Sequence, residues 1–167
     1  MNYVLIGLPG SGKSTIGVML AKYIGYGFVD TDLMLQLQEK KMLSEIIEEE
    51  GAEGFIETEN RVLSCMAADR CVVATGGSAV YGRDAMAHLT ENGSKVIYLK
   101  ISFEEMEHRV HHAFRKRGVV VRKGESPRDL YNERVPLYEK YADLTIDEKD
   151  CSAEETLQKV LAAIGKL

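Results

Sequence analysis

Residues 7–15 read Gly-Leu-Pro-Gly-Ser-Gly-Lys-Ser-Thr, a complete G-x-x-x-x-G-K-[ST] loop. The loop follows directly on Tyr3-Val4-Leu5-Ile6, an apolar, β-branched run that reads as a buried strand. Ser14 to Tyr23 then carries apolar residues at helical spacing. A strand, a glycine turn and a helix in that order leave few folds open. The glycines let backbone N–H groups turn inward around a chain of phosphates, and the helix adds its positive N-terminal end. In this pattern the lysine, Lys13, reaches the β/γ oxygens and the hydroxyl of Ser14 suits Mg²⁺. A glycine-rich turn without a ligand would not require lysine and serine in register. The loop residues Gly10, Ser11, Gly12, Lys13, Ser14 and Thr15 are therefore expected to hold a nucleoside triphosphate.

Composition narrows the kind of nucleotide protein. A chain of 167 residues forms one domain, taken as residues 1–167, that can bury a core without staples. The formal charge of −5 argues against nucleic acid as a partner, because a phosphate backbone wants a basic face. No apolar run reaches the ~20 residues needed to cross a membrane, and the N-terminal residues lack a signal-peptide pattern. Cys65, Cys71 and Cys151 are an odd set without C-x-x-C spacing, which fits reduced thiols better than disulfides or zinc. The expectation is a cytoplasmic monomer whose partners are small molecules.

Apolar runs that read as buried parallel strands are Tyr3–Ile6, Gly27–Val29, Cys71–Ala74, Lys95–Ile101 and, more weakly, Leu144–Ile146. Helical stretches separate or follow them at 14–23, 33–38, 43–50, 51–68, 82–91, 102–114, 126–141 and 153–164. This alternation predicts an α/β fold of three layers, with a central parallel sheet of about five strands between helices. One polar, glycine-containing interruption, about 112–128, reads as a basic lid.

Three further features fall where such a fold puts its chemistry, at the carboxyl ends of strands. Val29-Asp30-Thr31-Asp32 places two carboxylates after the second strand, one suited to a metal and one to an acceptor hydroxyl. Thr31 or Asp32 would also serve there as a helix N-cap. Thr75-Gly76-Gly77-Ser78 ends the third strand in paired glycines that allow close approach of a ligand. Basic side chains come from Arg109, the cluster Arg115, Lys116 and Arg117, and Arg134. Phosphoryl transfer spreads charge over the γ-oxygens, so a lid cation would stabilise it, although a solvated face also explains such a cluster.

In this order and at these separations the motifs resemble the shikimate kinases, small members of the nucleoside-monophosphate-kinase-like P-loop fold. The resemblance spans nearly the whole chain, including Glu50-Gly51-Ala52-Glu53-Gly54-Phe55, the Phe55-x-x-x-Glu59 helix and Arg134-Val-Pro-Leu-Tyr. It implies ATP as co-substrate, Mg²⁺, and transfer of the γ-phosphoryl group to shikimate, giving shikimate 3-phosphate. Lys13 and Ser14 would hold phosphates and metal, with Asp30 near the metal through water. Asp32 would bind the acceptor hydroxyl and take its proton, Arg134 would grip the substrate carboxylate, and Arg109 would pack on adenine. Lys13, Asp32 and the lid cation Arg117 are the catalytic set; Asp32, Gly76, Gly77, Ser78 and Arg134 form the acceptor site.

Three positions depart from the family pattern. Ile56 stands where the family's Phe-Arg-x-x-Glu supplies a second arginine for the carboxylate, which removes a charge-assisted contact. Ser78 replaces the third glycine of Gly-Gly-Gly, and Arg117-Gly118-Val119 replaces Arg-Pro-Leu in the lid. All three touch the acceptor site or lid rather than the phosphate loop. A kinase for another small hydroxylated metabolite, such as a sugar acid, sugar or amino alcohol, is the main alternative. A regulatory nucleotide-binding module fits less well with Lys13, Ser14 and Asp32 together.

Overall fold

The computed structural model describes residues 1–110 and 118–166. Five strands, β1 (Tyr3–Ile6), β2 (Gly27–Asp30), β3 (Cys71–Ala74), β4 (Lys95–Lys100) and β5 (Leu144–Asp147), form one parallel sheet in the order β2-β3-β1-β4-β5. The central β1 is wholly buried because helices cover both faces, and its side chains divide by the two-residue period of a strand. Val4 and Ile6 point into one apolar cluster with Val73, Val96 and Tyr98. Tyr3 and Leu5 point into the other with Val72, Ile97 and Leu99.

The second cluster is closed by α1 (Lys13–Ile24) and α7 (Ala153–Ala163), through Ile16, Leu20, Leu157, Val160 and Leu161. The first is closed by α3 (Leu43–Ser64), α4 (Arg83–Thr90), α5 (Phe103–Val110) and α6 (Pro127–Tyr141). A shorter α2 (Thr31–Glu39) follows β2 and buries Leu35.

The two stretches read separately as 43–50 and 51–68 are one element broken at Gly51, whose φ of 72° and ψ of 179° no helix contains. Glycine takes that angle without steric cost, so the break falls there. A 3₁₀ turn at Ala79–Tyr81, not anticipated from the periodicity, leads from the paired glycines into α4.

Sheet order reverses around β1, so the first crossover leaves on one side and later ones on the other. The crevice this creates lies outside the carboxyl ends of the strands, where the open α/β sheet binds ligands. Three of the sequence features, the phosphate loop, Asp30–Asp32 and Thr75–Ser78, leave strands at that edge.

Candidate active site

The phosphate loop is held by its own lysine. Lys13 Nζ donates to Gly7 O at 2.8 Å, to Leu8 O at 2.9 Å and to Ser11 Oγ at 3.3 Å, which closes the loop into a ring. Gly10 and Gly12 sit at φ of 82° and 76°, and Gly12 caps α1 with no side chain. The first turn of α1 carries no acidic residue, so its free N–H groups and positive dipole end face outward unopposed. Burial lowers the Lys13 ammonium to about 8, against the pull of Asp32, which favours the charged form.

Beside the loop, Ser14 Oγ donates to Asp30 Oδ2 at 2.6 Å. The other oxygen, Oδ1, accepts from Asp32 N at 3.0 Å and Leu33 N at 3.4 Å, making Asp30 the N-cap of α2. The cap is therefore neither Thr31 nor Asp32. Thr31 is buried and its Oγ1 accepts from Gly76 N at 3.1 Å, which pins the paired glycines to the start of α2. Asp32, with neither task, is left facing the crevice. Burial pushes its carboxyl up to about 6, with nearby Asp30 adding to the rise and Lys13 opposing it.

Gly76 lies between two carboxylates. A side chain begun there would meet Glu59 Oε1 at 2.6 Å and Asp32 Oδ1 at 2.7 Å. Gly76→Ala should accordingly cost stability, a loss that a thermal melt will register; an unchanged melting temperature would mean the two acids yield freely. Next along, Gly77 has Arg134 Nη1 3.1 Å from where its side chain would start. Arg134 is 2% exposed, donates to Val120 O at 2.5 Å and to Tyr81 Oη at 3.4 Å, and forms no ion pair among the described residues. Tyr138 Oη donates to Gly77 O at 2.6 Å and fixes the same turn from α6.

One cavity of about 720 Å³ joins these groups. Gly10, Gly12, Lys13, Ser14, Thr15 and Arg109 line one part of it, and Asp32, Gly76, Gly77, Ser78 and Arg134 another. Ser11 and Asp30 stand behind the lining. Phe55, Leu43, Val119 and Val120 add an apolar wall that the motifs did not reveal.

Arg109 bridges elements rather than standing free. Its Nη1 donates to Gly10 O at 3.0 Å and to Glu148 Oε2 at 3.3 Å, and its Nε to Glu105 Oε1 at 2.6 Å. It also borders a second cavity, about 770 Å³, between the start of α5 and the turn from β5 to α7. Glu148 is buried there, and burial raises its carboxyl to about 6.

The lid cations Arg115, Lys116 and Arg117 lie outside the described residues. Of the stretch read as a lid, Gly118–Val121 packs toward α3 and α6. Val120 is in the core, and Arg122 is held by Glu53 and Glu133.

The family model for shikimate kinase matches residues 9–165. The shikimate kinase of Histophilus somni is 33% identical over 99% of this chain and 96% of its own length. This chain belongs to the shikimate kinase family. Another relative, the shikimate kinase of Pseudomonas paraeruginosa, is 34% identical over 100% of this chain and 98% of its own. Among solved structures, a shikimate kinase from Acinetobacter baumannii in complex with shikimate superposes with a TM-score of 0.85, at 31% identity, covering 98% of this chain and 92% of that one. A gluconokinase from Sinorhizobium meliloti, at 18% identity and a TM-score of 0.55, shares the fold alone. Members of the shikimate kinase family are phosphotransferases acting on a hydroxyl group, and this chain is one.

Against that family, Ile56 stands in place of an arginine, beside the cavity lining rather than in it. Its side chain is half-buried and packs against the apolar core instead of lining the cavity, so it does not offer a surface to an acceptor. Phe55, one residue earlier, does. Ser78 has a partner that the sequence did not disclose: its Oγ donates to Glu59 Oε2 at 2.5 Å.

Proposed function

We propose that the chain transfers the γ-phosphoryl group of ATP to the 3-hydroxyl of shikimate. The observation that carries this reading is Arg134. Glu59 and Glu133 act on it only at a distance, and a buried guanidinium without a direct ion pair is costly unless something anionic reaches it. It stands across the Gly76–Gly77 turn from Asp32, in the cavity that begins at the phosphate loop. An acceptor with one carboxylate and a ring of hydroxyls satisfies Arg134 at one end and Asp32 at the other.

In this reading Gly10–Thr15 cradle the phosphates and Arg109 stacks on the adenine at the border of the two cavities. Ser14 Oγ spends its hydrogen on Asp30 Oδ2 at 2.6 Å and keeps lone pairs that would hold Mg²⁺, with Asp30 reaching the cation through water and phosphate oxygens completing the shell. When bound, the cation neutralises charge on the β- and γ-phosphates. Asp32 takes the proton of the attacking hydroxyl as its oxygen bonds to phosphorus and the bond to the ADP oxygen breaks. Lys13 steadies the charge on the equatorial oxygens, and a lid cation, Arg117 or its neighbours Arg115 and Lys116, closes over them. The test is coupled ADP release across a panel of hydroxylated metabolites that includes shikimate. Selective turnover of shikimate supports the reading, and turnover of another member without shikimate overturns it.

A second acceptor class, a hydroxylated metabolite without a carboxylate, is favoured by Ile56, since only one guanidinium serves the acceptor site among the described residues. One substitution separates the two. Positions 56 and 59 are one helical turn apart on α3, so an arginine at 56, longer than the isoleucine that stops short of the cavity, would lie beside Glu59 and extend toward the acceptor site. A charged hydrogen bond contributes about 1.5–3 kcal/mol, or roughly ten- to a hundredfold in affinity. Ile56→Arg should lower the KM for shikimate by about tenfold in steady-state assays. A KM that stays put would mean Arg134 alone suffices.

A further inference from the structure

Glu59 is a buried carboxylate, 2% exposed, that forms no direct ion pair among the described residues; Arg134 and Lys13 favour its charged form only from farther off. Its one hydrogen-bond donor among them is Ser78, itself 4% exposed. Replacing a buried charge with an apolar side chain of similar volume is often neutral or stabilising, so stability alone gives no reason for this acid. The geometry gives another. A serine hydroxyl has one hydrogen and two lone pairs. Ser78 spends its hydrogen on Glu59, and Ser78, unlike Glu59, lines the cavity. What Ser78 Oγ then presents to a ligand is an acceptor.

Resting on the acceptor-site reading above, we propose that Ser78 determines acceptor specificity by receiving a hydroxyl hydrogen of the substrate, and that Glu59 is the positioning residue that turns Ser78 for this purpose. Gly77 alone separates Ser78 from the residue against which Arg134 lies. The site thus reads a hydroxyl at Ser78 beside an anion at Arg134. A carboxylate placed at Ser78 would face Glu59 and Asp32 together and be repelled. The acceptor class is a small hydroxylated acid whose carboxylate and hydroxyl lie close together.

The experiment uses the full chain with ATP, Mg²⁺ and shikimate. Wild-type turnover tests the acceptor reading by itself, and the variants are assayed on whichever member of the panel is turned over. Ser78→Ala should raise the acceptor KM roughly three- to tenfold, the range of one neutral hydrogen bond, with the ATP KM and kcat changing far less. Glu59→Met, which keeps the volume but accepts nothing, should raise it similarly, while Glu59→Gln, which keeps an accepting oxygen, restores most of the loss. Because Glu59 acts through Ser78, the double variant Ser78→Ala/Glu59→Met should be no worse than Ser78→Ala. The double variant also removes the stranded charge, so it folds if Ser78→Ala alone does not. Among the 4-deoxy and 5-deoxy analogues of shikimate, one should bind wild type and Ser78→Ala equally. An acceptor KM within twofold of wild type in Ser78→Ala overturns the proposal while leaving the kinase reading intact. A Glu59→Met effect undiminished in the Ser78→Ala background overturns the positioning role. Failure of every acceptor overturns both readings.

Discussion

Lys13→Ala will lower kcat by at least about 10²–10³-fold, the loss typical of removing one charge-stabilising donor from a transition state. The estimate is a floor, because Lys13 does two jobs. In the proposed mechanism it faces the transferring phosphoryl group. Without nucleotide it also ties Gly7, Leu8 and Ser11 together. Its removal takes the lysine from Gly7 O and leaves Leu8 O with Ser11 N alone, so the loop then has to be organised by the ligand it binds. The ATP KM should therefore rise together with the fall in kcat. Global stability should change little, because alanine also relieves the desolvation that holds the ammonium at about 8. Steady-state kinetics beside a thermal melt will check this. Near wild-type turnover would exclude residues 7–15 as the catalytic loop, and a collapsed melting temperature would make Lys13 a folding residue first.

Much of the architecture is legible in the chain because the same residues specify it twice. Tyr3–Ile6 is apolar at every position, which only a strand covered on both faces requires, and the phosphate loop that follows fixes the direction of α1. The strand bounds read from Cys71–Ala74 match β3 fully, since turn residues close it at both ends. Where periodicity fails, the cause is local. Residues 43–64 look like two helices, yet the break at Gly51 costs only one residue's geometry and the apolar face resumes beyond it.

The site is legible to the extent that a residue's role follows from its own type. Lys13, Ser14, Asp32 and Arg134 declare themselves as charge or hydroxyl at strand ends. Roles that depend on a distant partner do not. Nothing in Asp30-Thr31-Asp32 says that Asp30 takes the cap and frees Asp32; that follows from Ser14 and Leu33 both reaching Asp30. Nothing in Ser78 points to Glu59, 19 residues away. Ile56 reads as an acceptor-facing position by alignment of motifs, whereas on α3 its short side chain lies half-buried against the core and stops short of the cavity lining.

Asp32→Asn will lower kcat by about 10²–10⁴-fold, the range for loss of a general base, while leaving the shape of the site unchanged. The wild-type pH profile should carry the same group. A base whose carboxyl is raised to about 6 by burial works in its ionised form, so kcat/KM falls as pH drops below about 6 and is flat above it. On the alkaline side the free enzyme loses the Lys13 ammonium as pH rises through about 8, which closes kcat/KM for ATP into a bell. Bound phosphates favour the charged lysine, so the alkaline limb should fade from kcat, which reports the loaded enzyme. Glu148 also titrates near 6 and Glu59 near 7, so position alone does not assign the acid limb. The variant does. In Asp32→Asn the residual activity should lose its acid limb, because no base remains to be protonated. An acid limb that persists in Asp32→Asn would pass the assignment to Glu59 or Glu148. Unchanged kcat would leave Asp32 with no part in proton transfer.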